Sequence, residues 1–448
     1  MVSLGCPKNL VDSEFILGRL GSGGYRLTPY PELADVLMVN TCAFIEAAKQ
    51  ESIDNILELA SYKESDPGKK IVVAGCLGQR YPEELLKEVP EIDAIIGLSE
   101  YHRVTEILND LVGADRRMQP LQVAPPVHPS YSEGSRLRLT APHTTYLRIS
   151  EGCDNACTFC AIPTFRGKFR SKPVDIVVDE ARALIATGAT ELNLISQDLT
   201  SFGYDLDGKF HLPELLERLD ALDGVRWIRL LYAYPFKFSD AMIDAVANLE
   251  RVVKYIDMPI QHIHDKTLKR MGRRMDEAGT RRLFERMRAR IPGLVLRTTF
   301  IVGFPGETEA EFDTLKNFVA DFKVERVGVF TYSDEDGTPA VRLPDKVPAE
   351  VAEQRKHEIM SVQQEVAFAW NDRRIGREEL VLIDGPHAAS GRLAGRSYAE
   401  APEIDSRIYL PANLGQPGEY HRVRIAAAED YDLCATPLGR ACAAESAV

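Results

Sequence analysis

The sequence contains no run near the roughly 18 uninterrupted apolar residues that a membrane-crossing helix needs. It also lacks a basic segment ahead of an apolar core at its start, which reads MVSLGCPKNLVDSE, so no secretory signal is expected. The expectation is a cytoplasmic protein with no membrane partner. Positive charge is scarce too: 54 Lys and Arg stand against 67 Asp and Glu, a net charge of −13. Nucleic-acid binding rests on basic residues that release counterions, so this deficit counts against RNA or DNA as substrate. It favours a basic protein partner. Apolar residues make up 45% of the 448 positions and charged ones 27%, which excludes wholesale disorder and leaves room for about three domains.

Residues 1–112 alternate short apolar runs (2–4, 36–39, 71–74 and 94–96) with helical spacing such as that of 47–62. This alternation predicts an α/β domain built on a parallel sheet. Residues 113–143 carry five prolines and no sustained periodicity, so they read as a linker. From 144 to 375 the alternation resumes, with strands expected at 146–150, 191–196, 227–232, 255–258, 295–302 and 326–331. Helical patterns at 174–187, 212–222 and 310–322 separate them, and a long helix over 349–373 follows. Six βα units predict a partial (βα)6 barrel whose working face lies at the carboxyl ends of the strands. Residues 376–441 change to short β-like runs punctuated by Gly and Pro, as in a small β-barrel, and the Ala-rich stretch after Thr436, ending in the tail 442–448, reads as disordered.

Cysteine is sparse, with eight residues, and a reducing compartment makes disulfides an unsuitable use for them. Cys153, Cys157 and Cys160 follow the first expected barrel strand in a C-x3-C-x2-C spacing. Three thiolates hold three irons of a [4Fe–4S] cube and leave the fourth open to chelate the amino and carboxyl groups of S-adenosylmethionine. One electron then splits a C–S bond of that cofactor and yields a 5′-deoxyadenosyl radical. A zinc knuckle would want a fourth Cys or His nearby, and none is present. Cys6, Cys42 and Cys76 are far apart in sequence, yet each ends an expected strand of one parallel sheet, where neighbouring carboxyl ends converge. The spacing favours a second three-thiolate cluster over three core cysteines. Cys434 and Cys442 have no partners in register and read as free thiols.

These motifs resemble those of the methylthiotransferases, and the resemblance covers essentially the whole chain. It implies an N-terminal cluster domain, a central radical S-adenosylmethionine domain and a C-terminal TRAM barrel. It further implies that Cys6, Cys42 and Cys76 hold an auxiliary [4Fe–4S] cluster, and that Cys153, Cys157 and Cys160 hold the radical one. Within the family, Ser3-Leu4-Gly5-Cys6-Pro7-Lys8-Asn9 is similar to the branch that modifies a ribosomal protein, whereas tRNA-modifying members usually have Gln-Met at the positions of Pro7-Lys8. His262 is a second mark, where those members tend to have Ser. The implied reaction adds a methylthio group to the β-carbon of an aspartate in small-subunit ribosomal protein S twelve. One S-adenosylmethionine methylates cluster-attached sulfur and a second supplies the radical. A sulfur donor and a reducing electron-donor protein are implied partners, and no protein side chain is needed as nucleophile. Charge agrees with this branch: residues 1–112 hold 18 acidic and 10 basic side chains, and residues 377–440 hold 10 and 7, with Glu400, Glu403 and Asp405 close together.

Other candidates keep two readings each. Gln197 and Asp198 end the second barrel strand, where they would hold the amino end of the cofactor, or Asp198 would cap a helix. Arg297 would face the cofactor carboxylate or pair structurally. Gly303-Phe304-Pro305-Gly306-Glu307 would admit adenine or form a plain turn. Arg166, Lys168 and Arg170 stand at the barrel mouth, where they would grip cofactor or substrate, or form a solvated basic face. Lys172 takes a place where the family more usually has Arg.

Overall fold

The computed structural model describes residues 1–113, 119–126 and 136–440, so Cys442 and the 442–448 tail lie outside it. Strands β1 (Val2–Ser3), β2 (Val36–Thr41), β3 (Lys70–Ala74), β4 (Ala94–Ile96) and β5 (Leu121–Gln122) pair in parallel in chain order. Alternate residues of a strand point to opposite faces, and here both faces are apolar. Val39, Val73 and Ile95 pack under α2 (Glu46–Ser65), while Met38, Val72 and Ile96 pack under α1 (Pro7–Ser22). The fifth strand falls inside the segment expected to be a linker, because Leu121 and Gln122 extend along Ile95 and Ile96.

The central unit begins with β6 (Thr144–Arg148). A two-stranded antiparallel clip follows, β7 (Ser150–Glu151) and β8 (Arg170–Ser171), which closes off the loop carrying the second cysteine triplet. Then β9 (Glu191–Ile195), β10 (Trp227–Leu230), β11 (Val252–Asp257), β12 (Val295–Val302) and β13 (Arg326–Thr331) continue a six-stranded sheet in the order β6-β9-β10-β11-β12-β13. Every pairing is parallel, the expected arrangement of six βα units in an open barrel. The outer face buries Leu192, Leu194, Ile228, Ile256 and Phe300 against the connecting helices.

The C-terminal strands β14 (Glu378–His387), β15 (Arg392–Arg396), β16 (Ile408–Leu410), β17 (Tyr420–Glu429) and β18 (Asp432–Arg440) form a closed barrel in the order β14-β15-β16-β18-β17. Strand β18 runs beyond Thr436 to Arg440 because it pairs with β17, where the composition alone reads as a disordered end. This barrel covers the inner face of the central sheet. Tyr146, Trp227 and Tyr255 pack on Leu382, Ala399 and Tyr420. Among them, Glu191 lies 3.2 Å from Arg229 and 2.8 Å from Arg396, and Glu400 lies 2.8 Å from Arg326 and 2.6 Å from Arg374.

That seam corrects the reading of the acidic cluster. Glu400 is fully buried, and Asp405 accepts a 2.7 Å hydrogen bond from the Tyr255 hydroxyl, so both face the central sheet. Only Glu403 of the three is exposed. No helix among the described residues is long and apolar enough to cross a membrane.

Candidate active site

Each N-terminal cysteine stands just past the carboxyl end of a strand. Cys6 precedes the first turn of α1, Cys42 follows β2, and Cys76 enters α3 (Gly75–Arg80) after β3. Backbone sterics explain the glycines beside two of them. Gly5 has φ +85° and a Cβ there would lie 2.8 Å from the Cβ and 2.9 Å from the Sγ of Cys42. Gly75 has φ +92° and a Cβ would stand 2.4 Å from the carbonyl of Thr41. Only glycine lets these strand ends approach so closely.

Asn9 fixes the approach. Its Nδ2 donates to the carbonyls of Leu4 at 2.8 Å and Thr41 at 2.9 Å, while Asn40 Nδ2 donates back to the Asn9 carbonyl at 2.7 Å. The residues bearing Cys6 and Cys42 are thereby tied to one helical turn.

The second triplet occupies the loop closed by the β7–β8 clip. Asn155 donates to the Cys153 Sγ from both its backbone and side-chain nitrogens at 3.4 Å, and Arg273 Nη1 reaches the Cys157 Sγ at 3.5 Å. Phe159, beside Cys160, packs edge-on against Phe304 at 6.4 Å between centroids. The Gly303–Glu307 turn therefore supports the cysteine loop through its phenylalanine.

The loop after the second triplet packs against the N-terminal domain beside Cys76. Ala161 and Phe165, immediately after Cys160, pack in the same apolar cluster as Cys76 and Leu77. Arg166 spans the seam: Nη2 donates to Asp12 at 2.9 Å, Asn9 at 3.2 Å and the Cys76 Sγ at 3.3 Å, and Nη1 donates to Glu151 at 3.0 Å. Glu151 also accepts from Gln197 at 2.7 Å and Arg148 at 2.7 Å. Burial works to raise its carboxyl, but the Arg166 and Arg148 guanidiniums outweigh that and hold it at about 2.

The thiols themselves are shifted the other way. Burial pushes Cys153 up to about 11 and Cys76 and Cys160 to about 12, and it raises Cys42 as well. Such thiols are inert on their own and become thiolates when a metal displaces their protons.

The donor set fits iron–sulfur clusters better than single ions. Among the described residues no three Cys, His, Asp or Glu groups are gathered closely enough to hold one metal ion. A tetrahedral ion with bonds of about 2.3 Å would draw its thiolates to about 4 Å of one another, whereas a cube of four irons spaces them more widely. All three cysteines of each triplet are nonetheless electrostatic neighbours.

The remaining candidates separate. Gln197 reaches the crevice through Glu151, and its Oε1 is buried without a partner. Asp198 is fully engaged: it caps the turn at Thr200 and accepts from Ser201 at 2.6 Å and Asn155 at 2.8 Å, so it steadies the residue that touches Cys153. Arg297 donates to Asp257 at 2.8 Å, the structural pairing. Lys168 is exposed, and Arg170 donates to the carbonyls of Lys168 and Arg166. Lys172 is buried on Glu180 at 2.7 Å.

His262 lies in the core, where burial lowers it to about 3, and its Nδ1 accepts from the backbone of His264. Sequence reasoning places Asn9 and Asp12 in the opening motif without giving them a role, and it misses Glu151, Asn155 and Arg273. The first two follow Cys6 by three and six residues along α1, and Glu151 and Asn155 flank Cys153, which was the available signal.

Comparison with known proteins agrees with this architecture. Residues 1–97 match the uncharacterized protein family UPF0004, residues 147–319 the Radical SAM superfamily, and residues 375–438 the TRAM domain. The chain is 47% identical over 434 residues to the ribosomal protein uS12 methylthiotransferase RimO of Geobacter sulfurreducens, covering 97% of each. It is 48% identical to the RimO of Anaeromyxobacter sp. strain K, covering 98% of this chain and 93% of that one. Among solved structures, the radical S-adenosylmethionine methyltransferase TsrM of Kitasatospora setae, solved with cobalamin and a [4Fe–4S] cluster, shares the fold. Its TM-score is 0.54 at 15% identity, over 79% of this chain and 76% of that one.

Proposed function

The chain belongs to the ribosomal protein uS12 methylthiotransferase family, and on that premise we propose that it attaches a methylthio group to the β-carbon of an aspartate in small-subunit ribosomal protein uS12. Binding of S-adenosylmethionine and an iron–sulfur cluster comes with the radical S-adenosylmethionine fold. The finer reading is two clusters, one on Cys153, Cys157 and Cys160 and one on Cys6, Cys42 and Cys76. The observation that carries it is the gathering of Cys6, Cys42 and Cys76 as electrostatic neighbours at three strand ends, with the loop of the second triplet packed beside Cys76. When bound, these groups supply the radical that removes hydrogen from an unactivated carbon and the methylated sulfur that replaces it.

The chain's own residues hold the geometry. Gly5, Gly75 and Asn9 bring three strand ends to one point. Asn155 and Arg273 direct donors at Cys153 and Cys157, as Arg166 does at Cys76, and such donors help set a cluster's potential. A sulfur donor and a reducing electron-donor protein complete the reaction from outside the chain.

The test is a competition. Anaerobically reconstituted protein, S-adenosylmethionine, sulfide and reductant are offered unmodified small ribosomal subunits and bulk tRNA together, and products are read by mass spectrometry. A methylthio gain on one aspartate of uS12, absent with Cys6→Ala and with Cys153→Ala, is the expected result. A gain on tRNA instead overturns the substrate assignment.

A further inference from the structure

Lys8 is a buried cation with no carboxylate of its own. Its side chain projects from the first turn of α1, two residues after Cys6, and the residue is 7% exposed. The ammonium lies over the ring of Tyr232, 2.9 Å from its centroid, just past the carboxyl end of β10. Among the described residues it makes no ion pair.

The acids close enough to be felt are each taken: the Cys6 thiol is reserved for its cluster, and the two carboxylates have partners. Asp257 accepts from Arg297 at 2.8 Å and from the Tyr232 backbone at 3.0 Å, and Glu151 is held by Arg166, Arg148 and Gln197. The other buried cations around the crevice, Arg166, Arg148 and Arg297, are all paired with acids. An ammonium withdrawn from water beside a ring and the Cys6 thiol, with no carboxylate of its own, still has hydrogen-bond donors to offer an incoming carboxylate.

We propose that Lys8 binds the side-chain carboxylate of the substrate aspartate and so selects an acidic residue for modification. The inference rests on the methylthiotransferase reading above and deepens it. The position suits the task. A carboxylate drawn to Lys8 sets the adjacent β-carbon in the crevice between Cys6 and the strand ends of the central sheet, and fixing one end of a short side chain orients its neighbouring C–H bonds. A charge-assisted bond in a dry site also discriminates strongly against a neutral isostere, because the buried cation is then left unpaired. The methionine carboxylate of S-adenosylmethionine offers the same chemistry. Lys8 is assigned to the aspartate because it stands on the Cys6 helix rather than on the loop of the second triplet.

The experiment uses the reconstituted full-length protein and recombinant uS12, with the acceptor aspartate identified from the parent enzyme's product. Binding of uS12 and of its Asp→Asn form is measured at equilibrium for the parent, Lys8→Met and Lys8→Arg, and binding of S-adenosylmethionine is measured separately. The parent is expected to prefer aspartate by about tenfold or more, the range of a charged hydrogen bond. Lys8→Met should lose that preference, Lys8→Arg should keep much of it, and affinity for S-adenosylmethionine should stay within about twofold in both.

Retention of the preference by Lys8→Met overturns the proposal, as does a loss confined to S-adenosylmethionine. If Lys8→Met fails to fold, equal binding of the two uS12 forms by the parent serves as the overturning result. A parent enzyme that modifies no uS12 sinks the functional reading instead, which keeps the two failures apart.

Discussion

Where the C-terminal barrel meets the central sheet, buried acids and bases are matched: Glu191 sits between Arg229 and Arg396, and Glu400 between Arg326 and Arg374. Where the N-terminal domain meets the same sheet, Arg166 is matched in the same way, but Lys8 lies over an aromatic ring without an ion pair, and burial raises the Cys42, Cys76, Cys153 and Cys160 thiols. Both seams carry charge. The first is complete as it stands and serves to fix one domain on another. The second gathers thiols and a cation whose chemistry suits ligands from outside the chain, and that separates a working crevice from a structural joint.

The sharpest way to break the comparison is to remove ligands from the open seam. Cys153→Ala should abolish both S-adenosylmethionine cleavage and methylthio transfer. Cys76→Ala should abolish transfer while cleavage persists, and chromatographic measurement of 5′-deoxyadenosine beside mass spectrometry of uS12 separates the two. Loss of cleavage in both variants would mean that the triplets do not act separately.

Next in size is the contrast in stability. Glu400→Ala strands Arg326 and Arg374 and should cost about 3–5 kcal/mol in denaturant unfolding, the penalty for a broken buried ion pair. Lys8→Met removes a buried charge that has no counter-ion and should leave stability unchanged or raised. A large loss in Lys8→Met would show that the second seam is as structural as the first.

A smaller effect concerns pH. Burial works to raise Glu191 and Glu400, yet the arginines beside each outweigh it and hold both at about 2, below the ordinary carboxyl value of 4.5. Their depressed values contribute stability that is present above about pH 4.5 and is lost as pH falls toward about 2. The slope corresponds to about 3 kcal/mol for each group at about 1.4 kcal/mol per pKa unit, an upper figure that shrinks with any relaxation of the seam. Unfolding curves across that range should therefore flatten for Glu400→Gln. The least effect belongs to the half-exposed pair Arg424–Glu378, where Glu378→Ala should change stability by under about 0.5 kcal/mol.

Much of the fold is legible in the sequence, and the misses have physical causes. Strands β12 and β13 coincide residue for residue with the expected 295–302 and 326–331, because both are rich in β-branched and aromatic residues. Strand β11 begins three residues before the expectation, since Lys254 interrupts the apolar run; its ammonium turns aside to the carbonyls of Val246 and Leu249. Helix α1 has a concealed signature, because Lys8, Asn9, Asp12, Ser13 and Glu14 are polar and yet buried. Those same residues form one wall of the crevice, so the feature that hides the helix from hydrophobic periodicity is the feature that makes the site.

The convergence of the cysteine-bearing strand ends is legible from their spacing. Their supports are not, since Arg166 meets Asn9 and Asp12 from more than 150 positions away. The acidic cluster at Glu400 and Asp405 misleads for a related reason: composition counts charge without showing which side of a barrel is buried.

The most direct measurement is the iron and sulfide content, with electron paramagnetic resonance of the reduced state, of anaerobically reconstituted protein and its triple variant Cys6→Ala/Cys42→Ala/Cys76→Ala. Two clusters in the parent and half the iron in the variant, with the remaining signal still perturbed by S-adenosylmethionine, is the predicted result. The same iron content in parent and variant would contradict the account, because the first triplet would then be a group of core cysteines and the crevice would hold one cluster only.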